Sequence, residues 1–187
     1  MRVDLDAFEQ MYRVDADPWD FGGSPYEQRK YDITVASLPR RRYSRCFEPG
    51  CSIGALTERL APICDEVVAL DVSPSAIATA TVRLASVGGV SLSVGTIPEQ
   101  WPSGDFDLIV MSEIGYYWDE PALADVVDTA WTSLVAGGDL VAVHWLGHSP
   151  DHVLDGITVH EILAQRLGES AVHHRDARFV LDVWTAS

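Results

Sequence analysis

The amino-acid sequence predicts an α/β fold built on one mixed β-sheet, and three observations lead to this prediction. A glycine loop at residues 50–54 separates a short apolar run from a helical pattern with Leu56 and Leu60 on one face. Apolar runs and helical patterns then alternate along the chain, as they do in parallel βα units. Only residues 175–178 separate the last two apolar runs, which is too short for a parallel crossover, so these runs form an antiparallel hairpin.

The first 39 residues are expected to form a helical cap. Residues 3–13 are amphipathic, and a second helix is predicted from Pro25 to residue 38, directly before a proline. Ser24 and Glu27 have the spacing of a capping box, in which each side chain accepts a hydrogen bond from the backbone N–H of the other residue. The cap is therefore expected to consist of two helices joined by a loop.

Residues 43–187 are predicted to form a sheet-based core, and a chain of 187 residues suits a single domain that includes the cap at residues 1–39. The predicted strands occupy residues 43–48, 66–70, 90–94, 106–112, 140–145, 171–174 and 179–184. The predicted helices of the core occupy residues 54–61, 74–86, 121–135 and 158–167.

The chain carries a formal charge of −15, from 13 basic and 28 acidic residues. This balance argues against a nucleic-acid-binding surface, because phosphate contacts need clustered lysine and arginine, and it favours a cationic substrate. The sequence shows no signal-peptide pattern and no apolar stretch of the roughly 20 residues that span a membrane, so we expect a cytoplasmic protein without membrane contact. Cys46, Cys51 and Cys64 lack metal-ligand spacing, so we expect reduced thiols and no bound metal.

The glycine loop and Asp71 together indicate a nucleotide pocket. Glycine tolerates positive φ and lets a ligand approach the backbone, and the following helix offers free N–H groups. Asp71 ends the second predicted strand, 71 − 54 = 17 residues after Gly54, close to the ~20 expected for an acid that binds a ribose. The structural alternative is an ordinary strand-to-helix turn, with Asp71 opening the next turn.

Several stretches of the sequence resemble the nodulation protein S group of small S-adenosylmethionine (SAM) dependent methyltransferases. Residues 48–54 look like the first methyltransferase motif, which is common to the whole class. More specific to the group are residues 98–102, 106–117, 17–19, 26–31, 144–145 and 156–161. The resemblance covers nearly the whole chain, and it implies the class I methyltransferase fold, Rossmann-like, with a seven-stranded sheet.

The same resemblance implies SAM as the methyl donor and S-adenosylhomocysteine (SAH) as the product. Glu48 and the glycine loop would hold the methionine part, and residues after the third strand would flank the adenine. Ser52 replaces the commoner central glycine of the loop, and no acid directly follows the third strand. The expected cofactor-binding residues are Glu48, Gly50, Cys51, Ser52, Gly54, Asp71, Val72, Thr96, Ile97 and Ser112.

Candidate catalytic residues follow from the chemistry of methyl transfer to an amine, which must lose a proton before it attacks. Glu113 and His144 come at the ends of the fourth and fifth strands, where ligands bind in open α/β sheets. They are predicted to accept the proton or to orient the amine. The structural alternatives are a turn acid for Glu113 and a core histidine for His144.

Aromatic residues are predicted to surround the substrate, because their faces favour cations. Tyr12, Trp19, Tyr26 and Tyr117 are assigned to substrate binding, with simple packing of the cap on the sheet as the alternative. One of Tyr116 and Tyr117 is expected in the core. Four further histidines are expected at the surface: His148, His152, His173 and His174.

The predicted function is methyl transfer to a small-molecule acceptor, with the nitrogen of an amino sugar or a similar amine as the first hypothesis. Two alternatives stay open: an O-methyltransferase of natural-product metabolism, and a SAM-binding partner protein without catalysis. An NAD oxidoreductase is disfavoured, because the glycine loop lacks the second glycine of the dinucleotide fingerprint. The oligomeric state is left open.

Overall fold

A computed structural model describes residues 5–187, without the side chain of Leu5. Residues 3 and 4 of the predicted first helix therefore lie outside the described residues. The seven strands form one sheet in the order β3-β2-β1-β4-β5-β7-β6. The strands are β1 (Tyr43–Pro49), β2 (Cys64–Asp71), β3 (Val90–Val94), β4 (Phe106–Ser112), β5 (Leu134–Trp145), β6 (Val172–Arg175) and β7 (Phe179–Thr185).

The first five strands are parallel, and β7 runs antiparallel to both β5 and β6. The predicted mixed sheet with a terminal antiparallel hairpin is confirmed. The described helices are α1 (Leu5–Val14), α2 (Pro25–Ser37), α3 (Thr57–Leu60), α4 (Pro74–Arg83), α5 (Glu120–Thr132) and α6 (Gly156–Leu167).

Most boundaries lie within three residues of the prediction, and two differences have a local physical reason. The helix α3 begins at Thr57 rather than at residue 54, because Gly54 has a φ of +76°, which a right-handed helix cannot accommodate. The strand β5 begins six residues earlier than predicted, since Leu134 pairs with Phe106 before the register shifts towards Leu108. Its glycine pair therefore lies within the strand instead of forming a turn before it.

The predicted capping box at α2 is wrong. The Ser24 side chain makes no capping hydrogen bond, and Glu27 instead forms an ion pair with Lys30 one turn further along the helix. By contrast, the Ser73 hydroxyl accepts a hydrogen bond from the Ala76 N–H at 3.0 Å and caps α4. Glu27 therefore pairs with a lysine of its own helix instead of capping the first turn.

The sheet is buried on both faces, and the alternation along β5 shows the division. Val141 and Val143 face one cluster, which includes side chains of the cap and α3, while Leu140 and Ala142 face another, which includes α5 and α6. Because apolar side chains cover both faces of the sheet, polar side chains that could bind a ligand are expected at the ends of the strands. Among the residues that the structure describes, no helix is both long and apolar enough to cross a membrane.

Candidate active site

A cavity of about 880 Å³ lies at the carboxyl ends of β1, β2, β4 and β5, beneath α1 and α2. This volume falls in the usual range for small-molecule sites, roughly 300–1,000 Å³. The position is where ligands bind in open α/β sheets, because strand order reverses between β1 and β4. The cavity is therefore the candidate active site.

The glycine loop forms one wall of this cavity. Gly50 has a φ of +74°, and a Cβ atom there would lie 2.3 Å from Cγ2 of Ile114, so only glycine lets the loop pack against the segment after β4. Ser52 adopts a φ of +52° although it is not glycine. Its hydroxyl is hydrogen-bonded to the Tyr12 hydroxyl, which joins the loop to the cap.

Asp71 fixes the same loop from the end of β2. Its Oδ2 accepts a hydrogen bond from the Ser52 N–H, and its Oδ1 accepts one from the Ser73 N–H, both at 2.9 Å. Burial raises the pKa of this carboxyl in spite of the backbone donors. Asp71 and the adjacent Val72 line the cavity, so the acid faces the ligand space while it orders the glycine loop.

The predicted cofactor residues divide into two groups. Those that line the cavity are Gly50, Ser52, Asp71, Val72, Thr96, Ile97 and Ser112. Glu48, Cys51 and Gly54 are buried but do not line it. Both donors of Thr96 point at Gln100 Oε1: the N–H donates at 2.8 Å and the hydroxyl makes a longer contact at 3.5 Å.

Glu48 is turned away from the cavity, towards α3. Its Oε2 accepts a hydrogen bond from the Thr57 hydroxyl at 2.6 Å, and the residue is 2% exposed. Burial raises the pKa of this carboxyl to about 8. In this geometry Glu48 supports the helix that follows the loop. Its side chain does not reach the cavity, so the expected direct contact with a ligand is not formed in this structure.

Three ionisable side chains form a cluster at another part of the cavity wall. The Lys30 ammonium lies 2.7 Å from Glu113 Oε1 and 2.8 Å from Glu27 Oε2, and the lysine side chain is 1% exposed. The pKa of Lys30 is raised: burial lowers it, but the two carboxylates outweigh this effect. All three residues line the cavity, and their charges sum to −1.

The Glu113 carboxylate is held by further donors. Its Oε2 accepts hydrogen bonds from the Tyr116 hydroxyl and from the Trp145 N–H, the latter at 3.2 Å. The backbone at Glu113 has a φ of +58°, a left-handed conformation that costs energy in a residue other than glycine. The structure therefore fixes this acid at the end of β4, in agreement with its predicted position.

His144 requires a correction. It is fully buried and does not line the cavity, and both of its ring nitrogens are occupied. Nε2 accepts a hydrogen bond from the Gly115 N–H at 3.0 Å, so Nδ1 carries the proton and donates to His160 Nε2 at 3.0 Å. Burial holds the pKa of His144 well below its usual value. This geometry leaves His144 no free nitrogen for a substrate proton.

The hydrogen bonds of His144 continue to β7. His160 Nδ1 donates to Asp182 Oδ2 at 2.6 Å, and Asp182 also accepts hydrogen bonds from Ser170 and His173. Burial would raise the pKa of Asp182, but these donors outweigh it and the pKa is lowered. The chain of bonds fixes the tautomer of His144 and anchors the turn after Glu113.

Two of the histidines that were expected at the surface line the cavity: His148 is exposed there, as expected, whereas His152 is half-buried. His152 stacks on Tyr116, with ring centroids 4.0 Å apart and planes 5° apart, and His148 lies nearby in the wall. The expectation holds for His173, which is exposed and pairs with Asp182. His174 is half-buried and packs against Phe179, away from the cavity.

The predicted aromatic residues all contribute to the cavity wall, with Tyr117 half-buried and Tyr116 almost fully buried. Trp19 lies 5.4 Å from Tyr12 between ring centroids, and Phe8 makes an edge contact with Tyr117 at 5.0 Å. Tyr26 lies under the Arg178 guanidinium, 3.6 Å from it, at the mouth of the cavity. The cap therefore closes the cavity with aromatic rings.

The charge of the wall is strongly negative. The acidic residues that line the cavity are Glu27, Asp71, Glu99, Glu113, Asp119, Asp125 and Asp151, and the lysine and arginine residues are Lys30 and Arg178. Within the described residues this gives seven carboxyl groups against two permanent cations. Such a wall favours a positively charged ligand.

Sequence reasoning missed Glu27 and Lys30, although a signal for them was present. Glu27, Lys30, Tyr31 and Thr34 recur with the three- and four-residue spacing of one helix face. That face is the buried one, since these four residues are at most 8% exposed. A buried lysine needs anionic partners. Lys30 has one on its own helix, Glu27, and a second at the end of β4, Glu113.

Comparison with known proteins gives a consistent family. Residues 5–141 match the family model described as Nodulation protein S (NodS). Nodulation protein S of Rhizobium tropici is 32% identical over 162 residues, which are 82% of this chain and 66% of that relative. The chain thus spans just under two thirds of the length of this curated relative.

Two solved structures share the fold over nearly the whole chain. The N-methyltransferase NodS of Bradyrhizobium japonicum WM9, in complex with SAH, is 26% identical with a TM-score of 0.82, and the match covers 97% of this chain and 98% of that one. A candidate methyltransferase from Pseudomonas syringae is 42% identical with a TM-score of 0.76, over 86% of this chain and 98% of that one.

Proposed function

The chain belongs to the nodulation protein S family, and from this premise we propose that it is a SAM-dependent methyltransferase that acts on the amine nitrogen of a small acceptor, such as an amino sugar. The observation that carries the proposal is the cavity wall, with seven carboxyl groups against two permanent cations. Both the sulfonium of the donor and the ammonium of the acceptor are cations. A wall of this sign attracts both molecules.

The residues at the glycine-loop end fit SAM. Asp71 presents a buried carboxylate beside the loop, and a carboxylate can accept hydrogen bonds from two ribose hydroxyls. Ile97 and Leu70 line the same end of the cavity and offer apolar contact to an adenine. SAM, when bound, supplies a methyl group on a positively charged sulfur.

The opposite end of the cavity has the features that an amine acceptor requires. The cluster of Glu27, Lys30 and Glu113 carries one net negative charge, so it stabilises an ammonium nearby. Glu113 is rigidly held by Lys30, Tyr116 and the Trp145 N–H, and rigid groups position a reactant without loss of further entropy. Alignment of the nitrogen with the methyl group then accounts for much of the rate.

The aromatic wall excludes water and favours cations. Phe8, Tyr12, Trp19 and Tyr117 close the cavity from the side of the cap. Aromatic faces attract cationic groups by roughly 0.5–2 kcal/mol, and more strongly when water is absent. A neutral hydroxyl acceptor would gain less from this wall than an amine.

The test is a pair of measurements on the purified chain. Calorimetry should detect binding of SAH and no binding of NAD. Mass spectrometry with SAM and matched panels of amines and alcohols should then show products methylated at nitrogen. Turnover of alcohols alone would identify an O-methyltransferase, and binding of SAH without turnover of either panel would identify a SAM-binding partner protein.

A further inference from the structure

The imidazole of His152 stands out among the groups in the cavity wall that the proposed function has not yet used. Its Nδ1 atom is buried and has no hydrogen-bond partner among the described residues, and none of the described hydrogen bonds uses its Nε2. A buried polar atom without a partner costs roughly 1–3 kcal/mol, so such atoms call for an explanation. His174 also has a buried nitrogen without a partner, but it lies outside the cavity.

The ring of His152 packs against three aromatic side chains. It stacks on Tyr116 at 4.0 Å and makes edge contacts with Tyr117 at 5.6 Å and Trp145 at 6.3 Å, between centroids. The N–H groups of the next two residues, Val153 and Leu154, donate to the Tyr116 carbonyl at 2.9 and 3.1 Å. The segment is therefore fixed to the turn that follows Glu113.

Burial favours the neutral form of the His152 ring near pH 7, although two carboxylates lie close to it. Burial lowers the pKa of the imidazole, and His148 lowers it further, while Asp151 and Glu113 raise it in part. The net pKa lies below the ordinary value of 6.5. A neutral imidazole keeps one unprotonated nitrogen, which can accept a proton.

From this geometry we infer that His152, rather than His144, is the catalytic residue that takes the proton from the acceptor. The inference rests on the proposed function and adds a residue role to it. His144 cannot take this role because Gly115 and His160 occupy both of its nitrogens. The ring of His152 lies in the cavity wall, in the segment after β5 that is hydrogen-bonded to the turn that follows Glu113.

The proposed step balances in protons and electrons. An imidazole nitrogen of His152 forms a bond to one ammonium proton, and the electron pair of that N–H bond stays on the acceptor nitrogen. This pair forms the new N–C bond to the methyl group, while the C–S bond of the donor breaks and its pair stays on sulfur. The imidazolium then releases its proton to water at the mouth of the cavity.

The variant His152→Phe tests this role, because phenylalanine preserves the stack on Tyr116 and removes both nitrogens. We expect kcat to fall by about 10²-fold or more, since a positioned proton acceptor contributes roughly 10²–10⁴-fold. The affinity for SAH, measured by calorimetry, should stay within about threefold of wild type. The matched control is His174→Phe, which removes a similarly half-buried histidine outside the cavity and should leave kcat unchanged.

If the His152→Phe variant does not fold, a second measurement on the wild-type chain tests the same role. The pKa of His152 in the wild-type chain can be followed by nuclear magnetic resonance, with His152→Gln used to assign the signal. A pKa below 6.5 and an acid limb of kcat at that same pKa support the inference. A pKa above 7.5 would overturn it, because the ring would then be protonated at neutral pH.

The outcomes separate the two proposals. A folded His152→Phe protein with wild-type kcat would overturn the role of His152 and leave the methyltransferase proposal standing. A wild-type chain that turns over neither amines nor alcohols would overturn both. An equal loss of kcat in His174→Phe would also overturn the inference, since the effect would then be one of folding.

Discussion

The ammonium of Lys30 lies 2.7 Å from Oε1 of Glu113, although 83 positions separate the two residues in the chain. This pair joins the helical cap to the end of β4, in the part of the cavity wall that we propose for the acceptor. Lys30 also pairs with Glu27 on its own helix. One buried lysine therefore holds an acid of the cap and the acid after β4 next to each other in the cavity wall.

Replacement of Lys30 by methionine should destabilise the protein by about 3–5 kcal/mol, because it leaves Glu27 and Glu113 as acids without their cation. Urea denaturation measures the change. The matched control is Arg29→Met, which removes an exposed ion pair with Asp176 from the same helix and should cost at most about 1 kcal/mol. Equal losses in the two variants would show that the buried cluster contributes no more than a surface pair.

Asp71→Ala should weaken SAH binding by roughly 10- to 150-fold, which corresponds to about 1.5–3 kcal/mol for a lost hydrogen bond to a charged group. The variant also frees the Ser52 N–H, so the glycine loop loses part of its order. Calorimetry measures the affinity, and circular dichroism checks the fold. Asp65→Ala, at the exposed start of the same strand, is the control; a folded Asp71→Ala protein with unchanged affinity would remove the ribose role.

Glu113→Gln should keep SAH binding and lose turnover by about 10²-fold, because a carboxamide carries no charge and cannot satisfy Lys30 and Tyr116 together. Steady-state kinetics with an amine acceptor provide the measurement. Activity of the wild-type protein should rise with pH as more free amine is formed. Glu161→Gln, on the exposed face of α6, serves as control, and an active Glu113→Gln enzyme would contradict the proposed position of the ammonium.

The stability of the protein should fall as pH rises, and Glu48 is the cause. Its pKa is about 8 in the fold, because of burial, against 4.5 in the unfolded chain. The folded state thus holds a proton that the unfolded state has released. The contribution is fully present below pH 4.5 and is lost as pH rises through about 8.

Urea denaturation of Glu48→Gln at pH 5, 7 and 9 tests this expectation. In wild type the free energy of unfolding should decrease by a few kcal/mol more between pH 5 and pH 9 than it does in the variant, since one pKa unit corresponds to about 1.4 kcal/mol. Glu66→Gln, which removes an exposed acid of β2 that pairs with Arg45, should retain the wild-type slope. Parallel slopes for Glu48→Gln and wild type would show that Glu48 is ionised in the fold.

Glu9 joins the cap to Ser73 and Ser75, which follow Asp71 in the chain, and this contact should control closure of the cap. The Glu9 carboxylate accepts hydrogen bonds from the hydroxyls of Ser73 and Ser75, which lower its pKa to about 2. Hydrogen exchange should show residues 5–24 protected by SAH in wild type and much less in Glu9→Ala. Gln10→Ala, which alters an exposed neighbour, should behave as wild type; identical exchange in all three proteins would mean that the cap is held by its aromatic contacts alone.

The sequence by itself determined the elements of the fold and half of the site. The alternation of strands and helices, the glycine loop, Asp71 and the terminal hairpin all follow from patterns within a few residues of one another. Such patterns are set by backbone conformation and side-chain periodicity, which are local properties. For the same reason the family resemblance could be read from short stretches.

Only the tertiary structure decided which polar groups face the cavity. Lys30 pairs with Glu113, which lies 83 positions away in the chain, and Gly115 and His160 occupy both ring nitrogens of His144. The outcome depends on partners that the fold brings together from distant positions. A buried polar atom costs free energy unless it finds a partner, so packing assigns each histidine and carboxylate to a structural or an accessible role.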